Sequence, residues 1–192
     1  YEKFSPKMLA VSRYYVKDYQ FAEDVLQNAF CKAFLNLKTY QFNGSFEGWA
    51  VCTFNSCSFI GNTVQNDGGS IQTSNASTYL NHSVVKGNFA LRFGGGIYNG
   101  SGADMHVINS EISGNFADAS GGGIWNESEL ELLNTTVSGN LASVSGGGIS
   151  LDGDQAFATF HNSIIAKNKA LSGGDDVFDD ASTGTGEHTL IG

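Results

Sequence analysis

Proline and cysteine are scarce in this sequence, and long apolar runs are missing. A single Pro and three Cys stand among its 192 residues. The cysteines, Cys31, Cys52 and Cys57, provide neither a disulfide framework nor the Cys-x-x-Cys spacing of a zinc site. No apolar run is long enough to span a bilayer. We therefore expect no transmembrane segment and no disulfide-stapled fold.

Basic residues are scarce beyond the first fifty positions. Residues 51–192 contain four Lys or Arg against fourteen Asp or Glu, whereas residues 1–50 contain six against five. An acidic surface repels nucleic acid and anionic membranes, so sequence-specific DNA binding is not expected. Because the two parts also differ in residue pattern, we predict two domains, residues 1–50 and residues 51–192.

Glycine is abundant, and it recurs together with Asn in a repeat. One template occurs five times at spacings of 26, 27, 25 and 28 residues. In each copy an apolar residue precedes an Asn by three positions, and a glycine-rich stretch follows before an aliphatic residue nine positions after the Asn. Registers that hold over five copies indicate a structural repeat. The asparagines are Asn62, Asn88, Asn115, Asn140 and Asn168.

The residue types within the repeat select strands over helices. Helical repeats need apolar residues at a period of 3.6 and few glycines, whereas β-branched and aromatic clusters between Gly-Gly-Gly runs favour two or three short strands per coil. We predict a mainly β fold, a right-handed parallel β-helix of about five coils in which the asparagines stack as a hydrogen-bonded ladder. A second ladder is predicted for Ser56, His82, Asn109, Asn134 and Asn162, and a small-residue stack for Val64, Ala90, Ala117, Ala142 and Ala170.

Two stretches carry a resemblance to a known kind of repeat. Ile112-Ser113-Gly114-Asn115-Phe116-Ala117 and Gly121-Gly122-Gly123-Ile124-Trp125-Asn126 resemble the repeats of bacterial surface β-helix proteins of the polymorphic-outer-membrane-protein type. The resemblance extends over about three quarters of the chain. It implies an exported or cell-surface location and an adhesive or structural role, with a surface glycan or a protein as ligand. The same scaffold also carries sugar-cleaving enzymes, so it leaves activity open.

Sugar-cleaving β-helices place clustered carboxylates, often with Ca²⁺, beside a basic residue on one face. Asp152 and Asp154 are the weak Ca²⁺ candidates, in a turn whose length varies between copies. Arg92, the one Arg in residues 51–192, belongs to a turn two coils away. Because Asp-Gly-Asp is typical of a polar turn and the histidines share no column, we predict no catalytic residues, no metal and no cofactor. A polysaccharide lyase or hydrolase stays an alternative.

Two further groups of side chains invite a functional interpretation. Tyr98 and Trp125 occupy equivalent strand positions, and we predict that they stack on the outer surface, as a sugar-binding strip or as a simple cover. The acidic residues of the last copy are predicted to form a solvated end of the rod. They are Asp175, Asp176, Asp179 and Asp180.

Residues 1–50 lack the repeat and show helical periodicity instead. Asp18 is a plausible N-cap for a helix over residues 18–37 with a broad apolar face. With a shorter stripe before it and a turn at Asn43-Gly44-Ser45 after it, we predict two to three helices. An amphipathic helix suits the open end of a β-helix, so we expect this segment to act as its cap.

The same fifty residues resemble region 2 of extracytoplasmic-function sigma factors, of the sigma-70 type. The matching runs are Ala22-Glu23-Asp24-Val25-Leu26-Gln27 and Gly44-Ser45-Phe46-Glu47-Gly48-Trp49. The resemblance implies that residues 18–37 bind the bacterial RNA polymerase core. The implied docking residues are Asp24, Gln27 and Asn28, and those implied to stack on the opened promoter strand are Tyr40, Phe42 and Phe46.

The sigma resemblance stops where the first coil begins. Sigma factors continue beyond the position of Trp49 into a basic promoter-binding helix, whereas this chain continues into Val51-Cys52-Thr53-Phe54. Six basic residues in fifty cannot supply the usual phosphate contacts, so promoter recognition is not expected. An exported rod and a cytoplasmic sigma segment belong to different compartments. The junction is therefore interpreted as a natural fusion, a recombined gene or an artificial chimera, and the competing function is a polymerase-binding module with the rod as passenger.

Overall fold

The computed structural model describes the backbone of residues 51–179, 183–187 and 189–192 and the side chains of residues 51–179 and 189–192. The predicted N-terminal helices lie outside these residues. So do the implied docking residues Asp24, Gln27 and Asn28 and the implied stacking residues Tyr40, Phe42 and Phe46. These assignments remain predictions.

The described residues form five complete coils of four strands and the first two strands of a sixth coil. Coil 1 consists of β1 (Cys52–Asn55), β2 (Ser58–Ile60), β3 (Thr63–Val64) and β4 (Ile71–Thr73). Coil 2 consists of β5 (Ser77–Asn81), β6 (Val84–Lys86), β7 (Phe89–Ala90) and β8 (Ile97–Asn99). Coil 3 consists of β9 (Asp104–Ile108), β10 (Glu111–Ser113), β11 (Phe116–Ala117) and β12 (Ile124–Asn126).

The later coils repeat this order. Coil 4 consists of β13 (Glu129–Leu133), β14 (Thr136–Ser138), β15 (Leu141–Ala142) and β16 (Ile149–Leu151). Coil 5 consists of β17 (Phe157–His161), β18 (Ile164–Ala166), β19 (Lys169–Ala170) and β20 (Val177–Asp179). The last strands are β21 (Thr183–Glu187) and β22 (Leu190–Ile191).

Equivalent strands of successive coils pair in parallel and build four sheets. The first sheet has the order β1-β5-β9-β13-β17-β21 and the second β2-β6-β10-β14-β18-β22. The third, β3-β7-β11-β15-β19, and the fourth, β4-β8-β12-β16-β20, have five strands each. The predicted parallel solenoid of about five coils is confirmed. The expected two or three strands per coil fall short of the observed four, because the third-sheet strands have two residues each and show no alternation.

The core runs along the inside of the coils as columns of similar residues. Leu80, Val107 and Leu132 are aligned in the first sheet, and Ile97, Ile124 and Ile149 in the fourth. All six are fully buried. The predicted small-residue stack is confirmed, since Val64, Ala90, Ala117, Ala142 and Ala170 pair in register along the third sheet. Stacking like on like lets each coil repeat the packing of the coil before it.

The glycine runs let neighbouring coils approach closely. The first glycine of a run has a left-handed backbone, with φ of +66° at Gly94 and +69° at Gly121. At the second glycine, Gly95 or Gly122, a Cβ would collide with the backbone of the next coil. Only glycine satisfies both requirements, because it has no Cβ.

The predicted asparagine ladder is confirmed. The backbone N–H and the Nδ2 of each Asn from Asn62 to Asn140 both donate to the Oδ1 of the Asn one coil further on, at 2.9 to 3.0 Å. From Asn88 onward each Nδ2 also donates to a second-sheet carbonyl of the preceding coil, as Asn115 does to Val85 at 3.1 Å. The buried amides thus satisfy turn backbone that would otherwise lack partners.

Candidate functional surface

The outer face of the first sheet carries a column of three chemically active side chains. Tyr79, His106 and Glu131 are in register on β5, β9 and β13. The rings of Tyr79 and His106 are stacked, with centroids 4.5 Å apart and planes 9° apart. His106 Nδ1 lies 2.7 Å from Glu131 Oε2. Since an ionised carboxylate only accepts, Nδ1 donates, which leaves Nε2 as the ring nitrogen available to a ligand.

Further carboxylates flank this column. Asp104 is in register with Glu129, and the Ser77 hydroxyl donates to Asp104 Oδ2 at 3.0 Å. The hydrogen bonds of His106 join it to a carboxylate and not to a hydroxyl or thiol nucleophile. No cluster of three or more His, Cys, Asp or Glu that could hold a metal ion occurs among the described residues. The face can therefore bind hydroxyl and amide groups through hydrogen bonds.

A shallow groove lies beside this face, at the corner between the first and second sheets. Its volume is about 450 Å³, and its lining is His82, Ser83, Val84, Asn109, Ser110, Glu111 and Asn134. His82, Asn109 and Asn134 belong to the predicted second ladder. Asn134 Nδ2 donates to Asn109 Oδ1 at 3.0 Å, and Asn109 Nδ2 lies 3.4 Å from His82 Nε2.

The second ladder differs from the first in its exposure and its backbone. All five of its residues have left-handed φ, between 48° and 53°, a conformation for which Asn is better suited than most residues. His82, Asn109 and Asn134 are exposed, whereas Asn88, Asn115 and Asn140 are buried. The polar groups of this corner are therefore available to a ligand once per coil.

Trp125 was predicted to stack with Tyr98 on the outer surface, but its ring is buried. Tyr98 and Trp125 are in register as predicted, but Trp125 is only 7% exposed. Phe93 covers it, with ring centroids 4.2 Å apart, because the turn before the glycine run folds back over the fourth sheet. The Tyr98 hydroxyl and Trp125 Nε1 both donate to Glu127 Oε1, at 2.7 and 3.1 Å. Phe93 thus covers the Trp125 ring, and that ring is not an exposed platform for a sugar.

Electrostatics within this cluster act on Tyr98. Burial raises the pKa of Tyr98 above its usual value, and both the hydrogen bond to Glu127 and the negative charge of that carboxylate raise it further. Arg92 lies over the Phe93 ring at 5.2 Å from its centroid and pairs with Asp67 at 3.6 Å. Arg92 is thus engaged in the aromatic cluster, where it supports packing.

The Ca²⁺ candidates Asp152 and Asp154 lie in a turn after β16. Gly153 between them has φ of 95°, and the Ala156 N–H donates to the Gly153 carbonyl at 3.0 Å. Asp154 is exposed, and Asp152 is half-buried. The geometry agrees with a polar turn, and Ca²⁺ binding stays a prediction.

Two more ladders escaped the sequence analysis. A hydroxyl ladder follows the second Asn column, since the backbone N–H of Cys57, Ser83 and Thr135 donates to a Ser Oγ one coil on, at 3.0 to 3.1 Å. A short internal ladder joins Asn99 Nδ2 to Asn126 Oδ1 at 2.6 Å. The hydroxyl ladder recurs in step with the five asparagines, which is the signal that could have revealed it, whereas the Asn99–Asn126 pair has Thr73 and Leu151 at the equivalent positions of coils 1 and 4.

Comparison with known families divides the chain at the start of the solenoid. Residues 1–56 match the model of sigma-70 region 2, and residues 56–74 and 109–127 match the model of the Chlamydia polymorphic membrane protein repeat. The two matches support a mosaic of a segment similar to sigma-70 region 2 and repeats similar to those of the polymorphic membrane proteins. The two repeat matches are equivalent parts of coils 1 and 3, each containing one asparagine of the first ladder, Asn62 or Asn115, and the aliphatic residue nine positions after it. Neither the curated proteins nor the solved structures include a match to this chain. Within the described residues no helix has the length and apolarity to cross a membrane.

Proposed function

We propose that residues 51–192 form a right-handed β-helix domain that acts as a non-enzymatic surface or adhesive scaffold. The observation that carries the proposal is the set of continuous ladders. The asparagine ladder joins coils 1 to 5, and the second ladder holds outer side chains of coils 2 to 4 in a fixed column. A rigid, repetitive surface suits the binding of an extended partner. The match of coils 1 and 3 to a membrane-protein repeat supports the same role.

The ligand surface is assigned to coils 2 to 4, on the groove and the adjoining face of the first sheet. The groove offers amide groups of Asn109 and Asn134 and the imidazole of His82, and the face offers His106 with Glu131. Strands of neighbouring coils are about 4.8 Å apart, so these groups recur at short intervals along the rod. A surface glycan with repeated hydroxyl groups matches this spacing and chemistry better than a polyanion does, because the rod itself is acidic.

An array of neutral and acidic glycans, together with surface-protein extracts, tests this assignment. The full chain should retain at least one neutral glycan, and Asn109→Ala and His106→Ala should each weaken binding about tenfold through lost hydrogen bonds. Leu171→Ala is the matched control, because Leu171 is exposed and follows β19 on another face. Equal binding by all three variants would refute the assignment of this surface. If the chain binds a protein from the extracts and none of the glycans, the ligand is a protein.

For residues 1–50 we propose a separate helical domain that caps the rod. Its support is the state of the first coil. Phe54, Phe59 and Val64 are only partly buried, whereas their counterparts Leu80, Val85 and Ala90 in coil 2 are fully buried. Among the described residues the strands of coil 1 pair on one side only, with those of coil 2, and an apolar solenoid end of this kind is suited to a cover. In the full chain, Phe30→Asp should speed hydrogen exchange at β1 and β2 and leave β13 and β14 unchanged. Unchanged exchange throughout would exclude the cap.

Binding to the RNA polymerase core is the second candidate for residues 1–50, favoured by the match to sigma-70 region 2. It assigns docking to Asp24, Gln27 and Asn28, and contact with the opened strand to Tyr40, Phe42 and Phe46. A pull-down with core polymerase tests it. Retention of the full chain that is lost in Asp24→Arg supports docking. No retention, with an Asp24→Arg variant as stable as the parent, rejects docking and leaves the cap.

A further inference from the structure

The asparagine ladder raises the question of how its last rung is satisfied. Every ladder Asn from Asn62 to Asn140 donates through N–H and Nδ2 to an Oδ1 that the next coil supplies. Asn168 belongs to coil 5, and its two donors are nevertheless paired. Asp176 Oδ1 accepts from the Asn168 N–H at 3.0 Å and from its Nδ2 at 2.8 Å. The regular rungs have 2.9 to 3.0 Å for the N–H and 2.9 Å for Nδ2, so the carboxylate stands in the place of the next asparagine.

Asp176 reaches this place from within the same coil. It lies eight residues after Asn168, and eight residues after Asn88, Asn115 and Asn140 the chain has glycine: Gly96, Gly123 and Gly148. A Cβ on Gly148 would lie 2.8 Å from Asn168 Nδ2, and one on Gly123 would lie 3.0 Å from Asn140 Nδ2. A side chain at this position therefore points into the ladder site of the following coil.

Coil 1 shows what this site tolerates. Ser70 occupies the equivalent position, eight residues after Asn62, and its hydroxyl turns away to donate to the Gly96 carbonyl at 2.9 Å. The ladder continues past it, since Asn62 still bonds to Asn88. A small side chain is thus compatible with another rung, and it is the carboxylate of Asp176 that takes the rung's place.

Asp175 performs the equivalent task for the third sheet. Its Oδ1 accepts from the Ala170 N–H at 2.8 Å. The corresponding residues of coils 3 and 4 are Gly122 and Gly147, where a Cβ would collide with the backbone of Leu141 and Lys169 on the next third-sheet strand.

We propose that Asp175-Asp176 is a built-in stop for the third and fourth sheets, because its carboxylates accept the hydrogen bonds that a further coil would otherwise accept. A carboxylate suits the last rung because it only accepts hydrogen bonds, whereas a final Asn would leave two Nδ2 protons to be satisfied. Asp175 is exposed and Asp176 is half-buried, so both carboxylates stay in contact with solvent while one oxygen of each accepts these hydrogen bonds. In coils 2 to 4, glycine at these two positions allows the next coil to pair. In coil 5, Asp at the same positions blocks that pairing.

Hydrogen exchange in the full chain tests the bonding. Asp176→Ala should speed exchange of the Asn168 amide by about tenfold, since a charged acceptor is lost, while Asp176→Asn should retain most of the protection through its remaining oxygen. Asp154→Ala removes the same charge from an exposed turn and should leave the Asn168 amide unchanged. An Asn168 amide equally protected in all three variants would overturn the proposal.

Lengthening the rod tests the stop itself. The copied segment is residues 139–166, joined after Gly192, which aligns the second Asn140 with Asn168 because Ile191 pairs with Ile165. With Asp175-Asp176 present, the copied strands of the third and fourth sheets should remain unprotected in hydrogen exchange. In the double variant Asp175→Gly, Asp176→Gly these copied strands should become protected. The same is expected of the double variant Asp175→Gly, Asp176→Ser, which reproduces Gly69-Ser70 of coil 1. Protection of the added coil in the unsubstituted sequence would disprove a stop, as would its failure to form in both substituted versions.

Discussion

The middle coils and the end coils of this solenoid share one template but differ in how they are completed. In coils 2 to 4 the inward residues of the four sheets are almost wholly buried. In coil 1 Phe54 and Phe59 are only partly buried, and in coil 5 so is Val177. The inward side chains of a coil are therefore fully buried only where neighbouring strands cover the coil on both sides. In coil 5 the donors of Asn168 and Ala170 are paired from within the same coil, by the carboxylates of Asp176 and Asp175.

The ladder should give the largest contrast between middle and end. Asn115→Ala removes the oxygen that accepts from the N–H and Nδ2 of Asn88. It also removes the buried bonds that Asn115 Nδ2 donates to Asn140 Oδ1 and to the Val85 carbonyl. We expect it to lower the free energy of unfolding by about 4 kcal/mol. Asn62→Ala, at the exposed first rung, should cost about 1 kcal/mol. Urea unfolding followed by circular dichroism measures both, and equal losses would contradict a ladder that strengthens inward.

Core packing should show the next contrast with matched chemistry. Val137 is fully buried in coil 4, whereas Val177 in coil 5 is partly exposed. Val137→Ala should lower the free energy of unfolding by about 2 kcal/mol and Val177→Ala by about 1 kcal/mol, because fewer atoms surround the second cavity. The same urea titration provides the values. If Val177→Ala costs as much as Val137→Ala, the end coil is as well packed as the middle.

A smaller effect should come from one backbone position with positive φ. Gly61, Gly87, Gly114 and Gly139 occupy it in coils 1 to 4, with φ from 62° to 67°, and coil 5 has Lys167 there with φ of 61°. Lys167→Gly should raise the free energy of unfolding by about 1 kcal/mol, because the strained conformation suits glycine. The reverse change, Gly139→Lys, should lower it by a similar amount. A destabilised Lys167→Gly variant would show that the lysine side chain outweighs the strain.

The smallest expected effect is the pH response of Tyr98. Its pKa is raised in the folded chain by burial first and by Glu127 second, so folding favours the neutral phenol. That stabilisation is fully present below the unfolded tyrosine pKa of about 10 and is lost as the pH rises above it. Between pH 9 and pH 11, Tyr98→Phe should lose less stability than the parent, as measured by unfolding at each pH. A Tyr79→Phe variant is the control on another face, and identical slopes for all three would refute the effect.

Recurrence in the sequence made most of the fold predictable. Asn88, Asn115 and Asn140 could be assigned to one column because the same residue returns at nearly the same interval. The small-residue stack followed from the same periodicity. The two-residue strands could not be predicted, since alternation over two residues carries no information. The burial of Trp125 could not be predicted either, because Phe93 covers it from a turn whose direction the pattern does not specify.

The candidate ligand surface was predictable only in part. His82, Asn109 and Asn134 were recognised as a column, but as a structural ladder and without the groove beside it. Tyr79, His106 and Glu131 were missed because they share no residue type, and only the register of β5, β9 and β13 brings them together. When side chains at equivalent positions differ in chemistry, the sequence contains no repeated residue type from which their column could be predicted.

The sequence by itself determined the period, the strand-rich composition and which positions stack, because a solenoid repeats in one dimension and its columns are visible along the chain. The tertiary structure decided which columns face outward and how the ladder ends. Asp176 illustrates the reason, since it lies eight residues after Asn168 in the chain yet fills the place of a residue one coil further on. The role of Asp176 can be recognised only from the three-dimensional structure. Its carboxylate lies where the next ladder asparagine would lie, although its register in the repeat is that of a glycine.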